Sequence, residues 1–271
     1  MESRLERLRH LRNEVNLQIK GLDNYPKDAT VMMFVNHTCL LDIFYLPMGL
    51  PEDIVSAVSA RLMYKKDINR QQTFEKYLNT MPIEAHGTSF YREACLNATS
   101  TILAKEISMS IFPEGVYIPG KNKIYRGRTG GTRILFKALL SNPNIALVPV
   151  AINYPKGLSD VDNYSDFSND VAISILEPVA YQQSFETFMN AEDYNTRNFC
   201  LHQVTDAAMS SIAKELGQEY TCDYFELDPK NMILPDGRLI SDSESINPCV
   251  QAEYQKILGE RAKTLIKRFN K

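Results

Sequence analysis

Two stretches constrain the fold of this chain more than any others: Ala29-Thr30-Val31-Met32-Met33-Phe34-Val35 and Ile145-Ala146-Leu147-Val148-Pro149-Val150-Ala151-Ile152. Both are apolar almost throughout instead of alternating with polar residues. Both fall far short of the roughly 18 residues a membrane span needs. Runs of this kind read as buried strands, and buried strands belong to sheets covered by helices. The rest of the chain supplies such helices. Residues 15–19 alternate apolar and polar, 54–60 and 107–112 read as strands, and 81–83 is a short extended piece. Residues 40–46 open a helix that Pro47 is expected to stop. Residues 71–78 and 132–140 read as helical. Residues 89–104, with Ala94, Ala98 and Ile102 four apart, form the best helix of the first half. A further strand is expected at 171–175 and a long helix at 198–216. Pro149 inside its strand points to a sheet edge or a bulge. The order predicts an α/β fold, a mostly parallel or mixed sheet flanked by helices, as one domain over 1–271. Its core spans about 15–180, with a more helical extension over about 181–271.

The 271 residues suffice for one large domain, and 44% hydrophobic with 23% charged is ordinary for a soluble globular protein. A net charge of −3 gives no global attraction to nucleic acid. Cys39, Cys95, Cys200, Cys222 and Cys249 are scattered, without Cys-x-x-Cys spacing. That pattern fits reduced thiols in a cytoplasm and argues against a disulfide framework or a zinc site. No signal-peptide pattern opens the sequence. Residues 160–170 read as an exposed acidic loop. Asp160, Asp162 and Asp166 there lack the glycine and closing glutamate of a calcium loop.

Both ends are basic and amphipathic. Leu5, Leu8, Leu11 and Val15 stand among arginines, and Ile257, Leu258, Leu265, Ile266 and Phe269 stand among lysines and arginines. Such helices either pack on the core with a solvated charged face or lie on an anionic bilayer. The chain is expected to be cytoplasmic, with peripheral membrane contact through these segments as the open alternative.

Chemistry is suggested by two short motifs. His37 stands five residues before Asp42 in Asn36-His37-Thr38-Cys39-Leu40-Leu41-Asp42, and Phe112-Pro113-Glu114-Gly115 follows some seventy residues later. A histidine whose tautomer is fixed by a carboxylate can deprotonate a hydroxyl or amine near neutral pH. Five residues span about 500° of helix, so two helical side chains would point well apart. His37 is therefore expected on the loop after a strand and Asp42 in the first turn of the next helix, where the positive helix terminus also favours a carboxylate. Each residue has a plainer alternative: a hydrogen-bonded strand-end histidine, a helix-start carboxylate, a solvated turn glutamate. Gly115 is required in either case if the turn demands positive φ.

Taken together, the buried strand ending in Asn-His, the Asp five residues on, the Phe-Pro-Glu-Gly strand end and the Val148-Pro149-Val150 strand resemble the glycerolipid (lysophosphatidic-acid, PlsC-like) acyltransferase superfamily over roughly residues 15–155. Ile19-Lys20-Gly21-Leu22-Asp23-Asn24-Tyr25-Pro26 matches the family's lead-in. The segment from Arg126-Gly127-Arg128 to Arg133 looks like its loop-to-helix segment. The resemblance implies acyl transfer from a thioester, with His37 as base and Asp42 holding the imidazole. Pro113, Glu114, Gly115, Arg126 and Arg128 are the implied substrate-binding residues. No cofactor or metal is implied; acyl-CoA or an acyl-carrier protein serves as co-substrate and partner, and the acceptor is lipid-like. Lys121, Lys123, Arg126 and Arg128 form a basic loop suited to a CoA phosphate or an acidic carrier protein, with a solvated or lipid-facing surface as the open alternative. Cys39 lies between the two catalytic candidates, but no family position makes it a nucleophile.

Two positions depart from the family pattern. Ala85 stands roughly where an arginine of a second block is expected, and Val116-Tyr117 replaces the usual Thr-Arg after Phe-Pro-Glu-Gly. Guanidinium groups bind phosphate bidentately, and Ala and Tyr cannot. The acceptor is therefore expected not to be a simple glycerol phosphate, although Arg92, Arg126, Arg128 and Arg133 could supply the charge from elsewhere. Two alternatives stay open: a true 1-acylglycerol-3-phosphate acyltransferase, and a non-catalytic lipid-binding or scaffold protein that keeps the fold. The related His-x3-Asp-Gly pattern does not fit, because the spacing is one longer and no Gly follows Asp42.

Overall fold

The first apolar run folds as Thr30–Val35, a strand buried at all six positions. Continuous burial means that both faces of the sheet are covered. The computed structural model describes residues 15–59, 76–83, 89–118, 122–157, 170–225, 232–233, 239–240 and 247–270. The opening basic segment, most of the helix expected at 71–78, Ala85, Lys121 and the loop containing Asp160, Asp162 and Asp166 lie outside the described residues.

In chain order the elements are β1 (Asn16–Lys20), a single 3-10 turn (Leu22–Asn24), β2 (Thr30–Val35), α1 (Asp42–Gly49), β3 (Val55–Ser59), β4 (Asn79–Ile83), α2 (Ser89–Ala104), β5 (Met109–Ile111), β6 (Lys123–Ile124) and α3 (Gly130–Leu139). They continue with β7 (Ile145–Asn153), β8 (Asp170–Ile175), α4 (Gln182–Asn190), α5 (Tyr194–Leu216), β9 (Glu219–Tyr220), β10 (Met232–Ile233), β11 (Leu239–Ile240) and α6 (Pro248–Phe269). Seven strands form one sheet in the order β1-β8-β7-β2-β5-β3-β4. Every neighbouring pair is parallel except β7 with β8, so the sheet is mixed and mostly parallel, as expected.

Alternation along the strands gives the sheet two packed faces, with a small third cluster of Ile124, Ala151, Met209, Ile212 and Ala213 beside them. Met32 and Phe34 of β2, with Met109 and Leu147, pack against α2, α3, α5 and α6 on one face. Val31, Met33 and Val35, with Val148 and Val150, pack against α1 on the other. Full burial of each such side chain stabilises the fold by about 1.5–3 kcal/mol. The closing helix α6 lays Tyr254, Leu258, Ala262 and Leu265 on the first face. Its Arg261 donates to the Thr80 carbonyl at 3.0 Å, and Arg268 donates to Asn79 Oδ1 at 2.8 Å. Both arginines thereby cover the edge strand β4, whose Pro82 also limits further pairing. The apolar stripe of this basic helix thus faces the protein. Among the described residues, no helix is long and apolar enough to cross a membrane.

Two proline expectations are corrected. Pro47 does not stop its helix; it lies inside α1, which runs on to Gly49 before Leu50 turns extended. The missing N–H removes one hydrogen bond, but all eight helix residues are buried and packing keeps the turn closed. Pro149 is at neither an edge nor a bulge. It stands in β7, an interior strand, in register with Phe34 of β2. The ladder with β8 starts at Val150 opposite Ile175, and the Leu176 amide donates to the Pro149 carbonyl at 3.0 Å. The absent donor of Pro149 therefore faces the point where β8 has run out. The expected long helix also begins earlier, at Tyr194, because Asp193 caps it by accepting the Thr196 amide at 2.8 Å.

Candidate active site

The site grows from the carboxyl ends of three adjacent strands, β7, β2 and β5. α1 leaves β2 toward one face, whereas α3, which follows β5 in the chain, packs on the other. Neighbouring strands whose connections diverge in this way open a crevice, the usual ligand position in an open α/β sheet.

Asn36 is the first residue past β2. Its side-chain amide donates to the Ile152 carbonyl at 2.9 Å and accepts the Ile152 amide at 2.7 Å. The side chain thus continues the pairing with β7 in place of backbone, and the main chain is released to turn. His37 comes next. Its amide donates to Glu114 Oε2 at 3.0 Å, and its carbonyl accepts the Ile118 amide at 3.1 Å. The imidazole stacks on Phe112, with centroids 4.2 Å apart and planes at 28°. Tyr117 meets it edge-on at 5.6 Å. His37 Nδ1 lies 2.8 Å from Asp42 Oδ2, in a site where the histidine side chain is 7% exposed and the aspartate 0%. A carboxylate facing Nδ1 selects the tautomer protonated there, which places the ring's lone pair on Nε2.

Asp42 is the first residue of α1, and the N-cap residue Leu41 offers no side-chain cap. The carboxylate turns back on the loop instead. Oδ2 also accepts the amides of Thr38 at 2.6 Å and Cys39 at 3.0 Å. Oδ1 accepts the hydroxyl of Tyr154 and lies 3.7 Å from Cys39 Sγ. The fold-back of residues 37–41 brings together two side chains that a continuous helix would separate. Cys39 Sγ is 2.9 Å from the Tyr154 hydroxyl. Burial pushes the Cys39 thiol up to about 12, with the Asp42 charge adding to it. Burial likewise holds the Tyr154 phenol well above its ordinary value, aided by Asp42 and Cys39. Both groups are protonated at neutral pH, so Cys39 has no thiolate with which to attack.

The Phe-Pro-Glu-Gly turn closes the other side. The Gly115 amide donates to the Phe112 carbonyl at 3.0 Å, and Gly115 takes φ +80°, a conformation that costs any other residue strain. Glu114 is 2% exposed. Its Oε2 holds the His37 amide, and its Oε1 accepts the Tyr125 amide at 3.2 Å. Pro113 accepts the Arg128 amide at 2.8 Å. A Cβ on Gly127 would come within 2.8 Å of Pro113 Cβ and 2.7 Å of Thr205 Cγ2, so only glycine allows this approach. The turn is therefore tied both to the His37 loop and to the segment leading into α3.

The basic loop is less open than its sequence suggests. Arg126 makes a two-pronged ion pair with Asp206 of α5, at 3.1 and 2.7 Å, and its amide donates to the Asp223 carbonyl. The ammonium of Lys123 lies 4.9 Å from the Tyr125 ring centroid. Arg128 packs its Cδ and Nε beside Gly115, and its buried Nε has no hydrogen-bond partner among the described residues. Its guanidinium carbon is 5.6 Å from the Tyr224 ring centroid. The structure thus brings His37, Asp42, Pro113, Glu114 and Gly115 together, with Arg128 against the turn, and commits the Arg126 side chain to Asp206. Glu114 sits where a substrate-binding role was expected, but both of its oxygens hold main-chain amides. Asn36, Tyr117 and Tyr154 were not singled out as site residues from sequence. The available signal was positional: residues just past parallel strands cluster at one end of the sheet, once the strand order is known. Among the described residues, no group of three or more His, Cys, Asp or Glu is placed to hold a metal ion.

The family model described as Acyltransferase matches residues 16–153, just over half of the chain. The chain belongs to the acyltransferase family. The matched span runs from β1 to the end of β7 and contains both the His37–Asp42 pair and the Glu114 turn; Tyr154 lies one residue beyond it. No curated protein matches the chain. Among solved structures it is similar to the 1-acyl-sn-glycerophosphate (LPA) acyltransferase PlsC from Thermotoga maritima. The TM-score is 0.49 and the identity 17%, over 77% of this chain and 79% of that one. A likeness of that degree carries no substrate from one acyltransferase to the other.

Proposed function

We propose that this acyltransferase moves an acyl group from a thioester, acyl-CoA or an acyl-carrier protein, to a hydroxyl or amine of a lipid-like acceptor. His37 is the general base and Asp42 the carboxylate that orients it. The observation that carries this reading is the enclosed 2.8 Å contact between His37 Nδ1 and Asp42 Oδ2, beside the glutamate turn that holds the His37 backbone. Nε2 takes the acceptor proton as its oxygen or nitrogen bonds to the thioester carbon. The tetrahedral adduct then collapses, the C–S bond breaks, and the imidazolium returns its proton to the leaving sulfur. No covalent enzyme intermediate is required, because the thioester is already activated. The amides of residues 37, 38, 39, 115 and 118 are engaged within the loops, so the reading draws the oxyanion donors from elsewhere.

The acceptor reading follows from what surrounds the base. An aromatic ring, Tyr117, stands against the imidazole where the family pattern has arginine, and Arg126 is neutralised by Asp206. Neither offers the fork that a phosphomonoester needs. The acceptor is therefore not a simple glycerol phosphate. Arg128, which makes no ion pair among the described residues, is the group of the basic loop suited to an anionic part of the donor. Lipid-like acceptors reside at bilayers, so the reading includes peripheral contact with a membrane surface. Initial rates with glycerol 3-phosphate, lysophosphatidic acid and non-phosphorylated acceptors, each against acyl-CoA and acyl-carrier donors, test it. The non-phosphorylated class is expected to be the better substrate. Efficient turnover of either phosphorylated acceptor would end the acceptor assignment, and failure of every thioester donor would end the acyl-transfer mechanism.

A further inference from the structure

We infer that Tyr154 is a positioning residue of this site, whose hydroxyl, donated to Asp42 Oδ1, sets how strongly the carboxylate holds His37. The inference rests on His37 acting as base. Asp42 receives its donors unevenly. Oδ2 faces three, the imidazole Nδ1–H and the amides of Thr38 and Cys39, all within 3.0 Å. Oδ1 faces the Tyr154 hydroxyl and, at 3.7 Å, only the weak thiol donor of Cys39. The phenol is thus the one strong donor on that oxygen among the described residues. It stops the carboxylate from rotating about its Cβ–Cγ bond and draws negative charge away from Oδ2.

The geometry marks the placement as built into the fold. Tyr154 directly follows β7, the strand paired with β2, and the register that aligns Val35 with Val150 delivers its ring to the end of the His37 loop. Its main chain is fixed independently of the hydroxyl. The amide donates to Asn153 Oδ1 at 2.9 Å, and the carbonyl accepts the Gly157 amide at 2.9 Å. Tyr45 of α1 packs edge-on behind the ring at 6.2 Å. The residue is 8% exposed, so water is a poor substitute for the phenol. The titratable groups turned on the dyad are Cys39 from its own loop, Tyr154 from the end of β7 with Tyr45 of α1 behind it, and Glu114 and Tyr117 from the loop after β5.

The sign of the effect follows from charge. Without the phenol donor, Asp42 offers more negative charge to the imidazolium and stabilises it further. The acid limb of activity, where His37 loses its proton to become a base, then moves to higher pH. Turnover falls at the same time, because the carboxylate no longer fixes the ring.

The test uses the full chain with palmitoyl-CoA and the best acceptor of the panel above, followed by thiol release across pH. Tyr154→Phe is expected to lower kcat by about 10- to 100-fold, the effect of one hydrogen bond to a charged group. KM should stay within about 2-fold, with the acid limb displaced upward. Replacing Tyr154 by 3-fluorotyrosine keeps its shape and strengthens the donor, so the limb should move downward. That variant decides the matter if Tyr154→Phe does not fold. A fall in kcat with the acid limb unmoved in either variant would mean a packing role only and would overturn the inference, as would unchanged kcat and limb. His37→Ala, assayed alongside, separates the two levels. If it abolishes turnover while Tyr154→Phe changes nothing, the base assignment stands and only the Tyr154 role falls; if it keeps full activity, the base assignment itself is wrong.

Discussion

The two atoms on which the proposed chemistry turns, His37 Nδ1 and Asp42 Oδ2, meet where both side chains are buried and water does not compete for the bond. His37→Ala is expected to lower turnover by about 10²–10⁴. Asp42→Asn should cost a similar factor by removing the charge that selects the tautomer. Circular dichroism should show both variants folded; a folded His37→Ala variant with undiminished activity would refute the base. Cys39 supplies a second check at this scale. With its thiol pushed up to about 12 by burial and by Asp42, it should resist iodoacetamide at pH 7.5 in the folded protein. The exposed Cys222 and Cys249 should be alkylated first. Peptide mapping reads the pattern, and early labelling of Cys39 would contradict the enclosed site. The His-x4-Asp spacing made this pair legible before any coordinates, since it implied a loop followed by a helix start. Tyr154 was not legible: it is 112 residues from Asp42, and no local pattern links a phenol to a carboxylate at that distance.

Among the elements, the segment between the Phe-Pro-Glu-Gly turn and α3 places the tightest demand on sequence. Gly127→Ala would set a methyl 2.7 Å from Thr205 Cγ2 and 2.8 Å from Pro113 Cβ. The overlap should destabilise the fold by about 1–3 kcal/mol. Gly130, at the start of α3, has nothing within 4 Å of such a methyl, and Gly130→Ala should be neutral or stabilise by about 0.4–1 kcal/mol. Paired denaturant melts measure the contrast, and equal effects would show that close approach is not what Gly127 provides. Helix periodicity was a sound guide here: the best helix of the first half is α2 at Ser89–Ala104, as its spacing indicated. The prolines were a poorer guide. A missing N–H matters only where a partner carbonyl waits for it, and that depends on neighbours. Pro47 is carried by the packing around α1, and Pro149 faces the end of β8.

For the molecule as a whole, several buried or half-buried acids share one direction of shift. Burial raises the Cys39 and Cys200 thiols and the phenols of Tyr25, Tyr154 and Tyr220 above their ordinary values, with Glu52 adding to the effect at Tyr25 and Asp206 at Tyr220. These groups keep their protons in the folded state while the unfolded chain loses them above about pH 9–10. The unfolded state then binds fewer protons, so stability is full below that range and declines as pH rises through it. Thermal melts at pH 7, 9 and 10.5 should show a falling Tm; a flat profile would mean these side chains reach solvent. The chain's local pattern by itself determined the strand and helix alternation and hence the α/β class, the His37–Asp42 pair and the Phe-Pro-Glu-Gly turn, because hydrophobic period, spacing and turn chemistry are short-range quantities. Only the tertiary structure decided that Arg126 belongs to Asp206, that Glu114 holds the His37 backbone, and that Tyr154 completes the carboxylate's partners. Those contacts join residues far apart in sequence: β7, β2 and β5 lying side by side bring Tyr154 and Glu114 to the His37 loop, and α5 brings Asp206 to Arg126.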